Sequence, residues 1–304
     1  MPNLYLLLAI FSASTQPAVA YSQVLNLRPV LESCQSGAES RIAIRRFTKN
    51  GDQSLVLVNP STLDTQQARS KDWRCKIIGF NDILGTRYGD LLNRSSSPPY
   101  TLQNDGIRHS TRGLEGVYLT VDLCPSTRKG FNEEIFTSLM DYSKGTTVPV
   151  GVSISGYWIS NHPQEFNWLR EQDLSGKLRV TWVNHTRTHP YNHNLPINKN
   201  FLLEPQANIR SEILGLEVQL LSVGITPSVF FRFPGLVSNE KLIGVLKSYS
   251  LISVGSDAWL AKGEVPTHGN IILIHGNENE PVGVVDFMRW IKKYRGDFLG
   301  LEDL

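Results

Sequence analysis

Between residues 110 and 295, short apolar runs alternate with segments whose apolar positions recur every three to four residues. "GVYLTVDLC" (116–124) reads as a buried strand. "FNEEIFTSLMDYSK" (131–144) places Phe131, Ile135 and Leu139 on one helical face, and "VPVGVSIS" (148–155) is the next strand. The alternation continues through a helix at "HPQEFNWLREQ" with Pro163 in its first turn, a strand at "LRVTWVNH", a helix at "NIRSEILGLEVQLLSVG" closing on Gly224, and a strand at "SVFFRF". "NEKLIGVLKSYS", "LISVGS", "NIILIHG" and "VVDFMRWIKKYR" complete the series. Strands separated by helices of this length predict a parallel sheet, either doubly wound or closed into a barrel. Residues 21 to 110 follow another pattern, with β-like runs at "RIAIRRF", "SLVLVN" and "CKIIGF" and an aperiodic stretch, "NRSSSPPYTLQNDG". They predict a small β-rich accessory region and linker over 21–110, ahead of a main domain over 111–304.

Composition narrows the function classes. With 304 residues, of which 40% are hydrophobic and 19% charged, the chain has the make-up of a globular protein with a sizeable core. A formal charge of +2 and the lack of a long Lys/Arg run give no electrostatic footprint for nucleic acid, which is not expected as a partner. The apolar block Leu4–Phe11, followed by Ala18-Val19-Ala20, predicts a signal peptide over 1–20, although no Lys or Arg precedes the block. The mature chain then begins at Tyr21 with no membrane span, and its expected location is periplasmic or extracellular. Export permits disulfides, so a Cys34–Cys75 bridge is expected, with Cys124 left over.

Polar residues fall where parallel α/β folds gather their chemistry, at the carboxyl ends of strands. Asp122, His185, Arg232, Asp257 and His275 each end a predicted strand. In "WVNHTRTHPYNH" three histidines recur at four-residue intervals, and His185 and His189 can share one cation if the turn between them is tight. The residue after His185 is Thr186, not the Glu of the zinc-protease helix, so a base must come from another segment.

The segments "TVDLC", "HTRTH", "RFPG", "SDAW" and "LIH", in this order over roughly residues 115 to 290, resemble the five motifs of the NodB-homology polysaccharide deacetylases, carbohydrate esterase family 4. The resemblance implies a distorted parallel (β/α) barrel that removes N- or O-acetyl groups from an acetylated polysaccharide or oligosaccharide with the help of a divalent metal, zinc first. It further implies Asp122 as base, His185 and His189 as metal ligands, Arg232 holding the base, His275 as general acid and Asp257 tuning that acid. Trp259, Pro234 and Gly235 would shape the substrate pocket. The chemistry suits these types, because an acetamide needs a polarised carbonyl, a carboxylate to collect a proton and an acid to protonate the departing amine.

One position departs from the family pattern. Where the family has a second, metal-binding aspartate, this chain has Leu123, followed by Cys124 in place of glycine. Asp122, His193, Asn132, Glu133, Glu134 or the Cys124 thiolate are the available replacements, and the expectation adopted is a two-histidine site finished by Asp122 or water. Two rival functions stay open, a catalytically inactive glycan-binding pseudoenzyme and a thiol hydrolase that uses Cys124 with a histidine.

Overall fold

In the β-rich region, Gly37 and the pair Asn50-Gly51 take left-handed φ values of 58°, 50° and 91°, which suits tight hairpin turns. The computed structural model describes residues 21–126 and 130–304, so the signal peptide expected over 1–20 lies outside the described residues. Strands β1 (Val24–Ser36), β2 (Glu39–Lys49), β3 (Asp52–Val58), β4 (Thr65–Arg69) and β5 (Arg74–Ile77) form an antiparallel sheet in the order β4-β3-β2-β1-β5. Cys34 of β1 faces Cys75 of β5 in register, and the two are disulfide-bonded.

Helix α1 (Arg87–Arg94) follows. The aperiodic stretch beyond it lies against the second sheet, with single β-bridges pairing Gln103 with Val237, Ile107 with Val254 and His109 with Asn270.

The second sheet contains β6 (Tyr118–Leu123), β7 (Val148–Ile154), β8 (Leu178–Asn184), β9 (Phe230–Phe231), β10 (Ile252–Ser253), β11 (Ala258–Trp259) and β12 (Ile271–His275). All pairs are parallel, in the order β10-β9-β8-β7-β6-β12-β11, and the sheet curls into a half-barrel. Helices α2 (Glu133–Tyr142), α3 (Gly156–Asn161), α4 (Pro163–Leu174), α5 (Ile209–Ser222) and α6 (Glu240–Ser248) connect strands, and α7 (Pro281–Ile291) follows β12. Ile135 and Leu139 of α2, on the apolar face the helical spacing predicts, pack with Phe136 against Val121 and Leu123 of β6, while Phe131 lies ahead of the helix, partly buried against the same cluster. Among the described residues, no helix is long and apolar enough to cross a membrane.

The two sheets share one core. Leu27, Ile44, Phe47 and Val56 of the first sheet belong to the same buried cluster as Tyr88, Phe230 and Ile252. Across this junction Arg45 of β2 forms a bidentate pair with Glu217 of α5 (2.6 and 2.7 Å) and donates to the carbonyl of Tyr249 (2.7 Å). Both charged side chains are buried, so each needs the other as its partner.

Candidate active site

Strand geometry sorts the first motif. Side chains alternate across a strand, so Thr120 and Asp122 of β6 face one way while Val121 and Leu123 face the helices. Leu123 is fully buried in that apolar layer, and the next residue toward the cleft is Cys124. The register of β12 against β6 sets His275 directly beside Asp122. His185 follows the end of β8, Arg232 the end of β9.

The two motif histidines meet without a helix between them. Thr186 and His189 both adopt left-handed backbone conformations (φ 71° and 52°), costly for residues with a Cβ and concentrated at functional turns. Hydrogen bonds hold the turn: Thr186 N–H donates to Asn184 Oδ1 (3.0 Å), and His189 N–H to Thr186 Oγ1 (3.1 Å). Glu212 of α5 accepts from Thr188 N–H (2.8 Å) and from its hydroxyl (2.6 Å). The imidazole centroids of His185 and His189 lie 4.7 Å apart. His193 is exposed on the loop beyond.

Asp122 is buried and held by Arg232, whose Nη1 donates to its Oδ1 (2.6 Å) and to Thr120 Oγ1 (2.7 Å). The remaining guanidinium donors reach the carbonyls of Gly255 (2.9 Å) and Val254 (3.4 Å). Asp122 Oδ2 stands 3.9 Å from His185 Nε2. Burial by itself would raise the Asp122 carboxyl, but the Arg232 guanidinium, with His185 and His275, holds it below the ordinary carboxylate range.

His275 is oriented by Glu280, whose Oε2 accepts from Nδ1 (2.8 Å) and also from the indole N–H of Trp259 (2.8 Å). Burial disfavours the imidazolium, yet hydrogen bonds to Cys124 and Glu280 raise its pKa well above the usual value. Asp257, expected to tune this acid, has its hydrogen-bond partners elsewhere. The Asp257 carboxylate accepts from the backbone N–H of Ile271 (2.8 Å) and from Asn270, and it pairs with His109 Nδ1 (2.8 Å). Asp257 immediately precedes β11 and meets the first residue of β12, whereas Glu280 stands just before α7, beyond the carboxyl end of β12 where His275 sits. Sequence reasoning missed Glu280 because nothing in "GNENEP" separates a half-buried partner of His275 from an ordinary acidic cap before Pro281.

Cys124 stands among all these groups. Its Sγ is 3.3 Å from His185 Nε2, and ligand atoms of Cys124, His185 and His189 all lie within 4.8 Å of one another, as do those of Asp122, Cys124 and His275. Burial opposes thiolate formation, but His189 and His185 push the Cys124 pKa well below the ordinary thiol value. In the described residues, His189 Nε2 is buried without a hydrogen-bond partner.

The groups open onto a cleft of about 1000 Å³. Tyr157, Tyr191, Phe201 and Trp259 line it, and Tyr157 and Tyr191 keep 49% and 65% exposure, so their rings are available to a ligand. Gly235 also lines the cleft, with φ 61° and Phe201 only 2.4 Å from where a Cβ would sit, so no other residue fits there without displacing that ring. Pro234 is buried behind it. Lys262 Nζ caps the Trp259 ring at 3.7 Å.

Residues 29–76, most of the first sheet, match the family described as RP012 protein N-terminal domain. Among solved structures, the chain is similar to a family 4 carbohydrate esterase from Bacillus anthracis, at 19% identity and a TM-score of 0.48, over 73% of this chain and 93% of that one. It is similar to Bacillus subtilis PdaA, also a family 4 carbohydrate esterase, at 18% identity and a TM-score of 0.49, over 66% of this chain and 85% of that one. It is also similar to a BA3943 mutant described as a CE4 family pseudoenzyme, at 11% identity and a TM-score of 0.44, over 94% of this chain and 93% of that one.

Proposed function

We propose that this chain is a metal-dependent carbohydrate deacetylase that hydrolyses N- or O-acetyl groups of an exported or cell-envelope polysaccharide. The observation that carries the reading is the meeting of Asp122, His185, His189 and His275, from three distant segments, at one cleft beyond the carboxyl ends of parallel strands. A divalent cation suits the donor set, because His185 and His189 lie ring to ring and a buried nitrogen of His189 has no partner among the described residues. When held there, the ion supplies Lewis-acid polarisation of the acetyl carbonyl and acidifies water.

The chain's own groups divide the proton transfers. Asp122, kept anionic by Arg232, takes a proton from the water whose oxygen attacks the acetyl carbon. His275, fixed through Nδ1 by Glu280, presents its other nitrogen to the leaving amine or alcohol and protonates it as the acyl bond breaks. The exposed tyrosines and Trp259 offer flat apolar faces to sugar rings, which supports a glycan as the partner. Export rests on the N-terminal pattern and fits the Cys34–Cys75 bridge.

Acetate release from chitin oligomers, peptidoglycan and acetylated exopolysaccharide tests the reading. Asp122→Asn and His275→Ala should each lower the rate by roughly 10²- to 10⁴-fold, the range of general acid–base catalysis. A chelator should abolish it and added zinc restore it. Undiminished activity in Asp122→Asn would rule out this mechanism, and glycan retention with no acetate from any substrate would mark a binding protein instead.

A second reading has its own observation. The His275–Glu280 dyad faces Cys124 in the arrangement of base, orienting acid and nucleophile, which is that of a thiol hydrolase. Its signature would be acetate release that withstands chelation and stops when Cys124 is alkylated.

A further inference from the structure

We infer that Cys124 is the third protein ligand of the cation, giving a two-histidine, one-thiolate site in place of the site finished by Asp122 or water that the sequence suggested. The inference rests on the metal-dependent reading above and names what completes it.

Three observations carry it. The carbonyl of Arg232 can only accept, so His185 Nδ1, 2.8 Å away, is the protonated nitrogen. Its Nε2 therefore faces Cys124 Sγ at 3.3 Å, where the two share one proton in a hydrogen bond that a cation bound to both would replace. The His189 ring adds another donor within 4.8 Å of both, with its buried Nε2 unpartnered among the described residues. With the shared proton displaced, the Cys124 sulfur and one nitrogen from each imidazole are three donors close enough to hold a single cation.

The rest of the first motif is otherwise engaged. Leu123 points into the helix layer, and Asp122 is committed to Arg232 and Thr120 through a shared guanidinium nitrogen. Cys124 is the next group of that chain segment on the cleft face, so it reaches the histidines while Asp122 stays available as a base. Three protein ligands with an open position is the arrangement of catalytic zinc sites, and a thiolate among them selects zinc over magnesium, calcium or manganese. A thiolate nucleophile would need His275 and Glu280 but gives no role to the paired imidazoles of His185 and His189.

Cobalt substitution tests the assignment directly. The chain has three cysteines, and Cys34 and Cys75 are bonded to each other, so any sulfur-to-metal signal comes from Cys124. The cobalt(II) protein should show a near-ultraviolet thiolate-to-metal charge-transfer band beside its visible ligand-field bands. In Cys124→Ser the first band should vanish while the visible bands remain, with zinc binding weakened by roughly tenfold or more. Visible bands without a charge-transfer band in the unaltered protein would overturn the thiolate ligand and leave the metal-dependent reading standing. Failure of both cobalt and zinc to bind, with acetate release stopped by alkylating Cys124, would overturn both.

Discussion

At Asp122 the protein stabilises an anion in a place that would ordinarily neutralise it, and the work is done by Arg232, which is fully buried. The fold holds the Asp122 pKa below its unfolded value of about 3.9, so the stability it contributes is present above that pH and is lost as the pH falls through the folded value. Asp122→Asn leaves Arg232 without its counter-charge, and thermal melts should show a deficit near neutrality that narrows toward pH 3. Glu280 acts one bond further out, as a positioning residue for His275. Glu280→Gln should lower acetate release about tenfold or more with KM little changed, because the acid loses its orientation while the aromatic walls stay in place. Asp122, His185, Arg232 and His275 were legible as polar residues at strand ends, and His189 by its spacing from His185. Glu280 was not, because its pairing depends on the turn between β12 and α7.

Among the elements, the shortest strands carry the least local signal. "SVFFRF" and "LISVGS" read as strands of ordinary length, but only Phe230–Phe231 and Ile252–Ser253 pair as β9 and β10. Beyond them the chain leaves the ladder, and Arg232 turns its guanidinium inward to Asp122. The long helices and central strands matched their periodicity because each has an apolar face that only one partner layer can cover, as for α2 against β6. Strand β1, helix α1 and helix α3 escaped notice. Polar side chains interrupt β1, and α1 and α3 are 8 and 6 residues long, too short for a clear period. The contact between β2 and α5 leads to a stability prediction. Glu217→Ala strands a buried guanidinium and should cost about 3–5 kcal/mol in denaturant unfolding, with little change in turnover per folded molecule.

For the whole molecule, the accessory sheet and the half-barrel share a core, so the boundary near residue 110 marks a change of sequence pattern and not a gap in packing. Residues 111–304 expressed alone should therefore lack a cooperative melt, because removing the first sheet exposes the apolar side chains it covers. Replacing both Cys34 and Cys75 by Ser opens a link across a sequence separation of 41 and should lower stability by roughly 2–4 kcal/mol, read as an earlier urea midpoint. Taken alone, the sequence determined the alternating β/α order, the β-rich start and the strand-end residues, since each of these follows from periodicity along the chain. Only the tertiary structure decided which groups share the cleft. The pairing register of β12 with β6 sets His275 beside Asp122, period-two alternation turns Leu123 away and Cys124 in, and a left-handed turn brings His189 back to His185. Those distances depend on how segments far apart in the chain pack in three dimensions, and no local pattern encodes that.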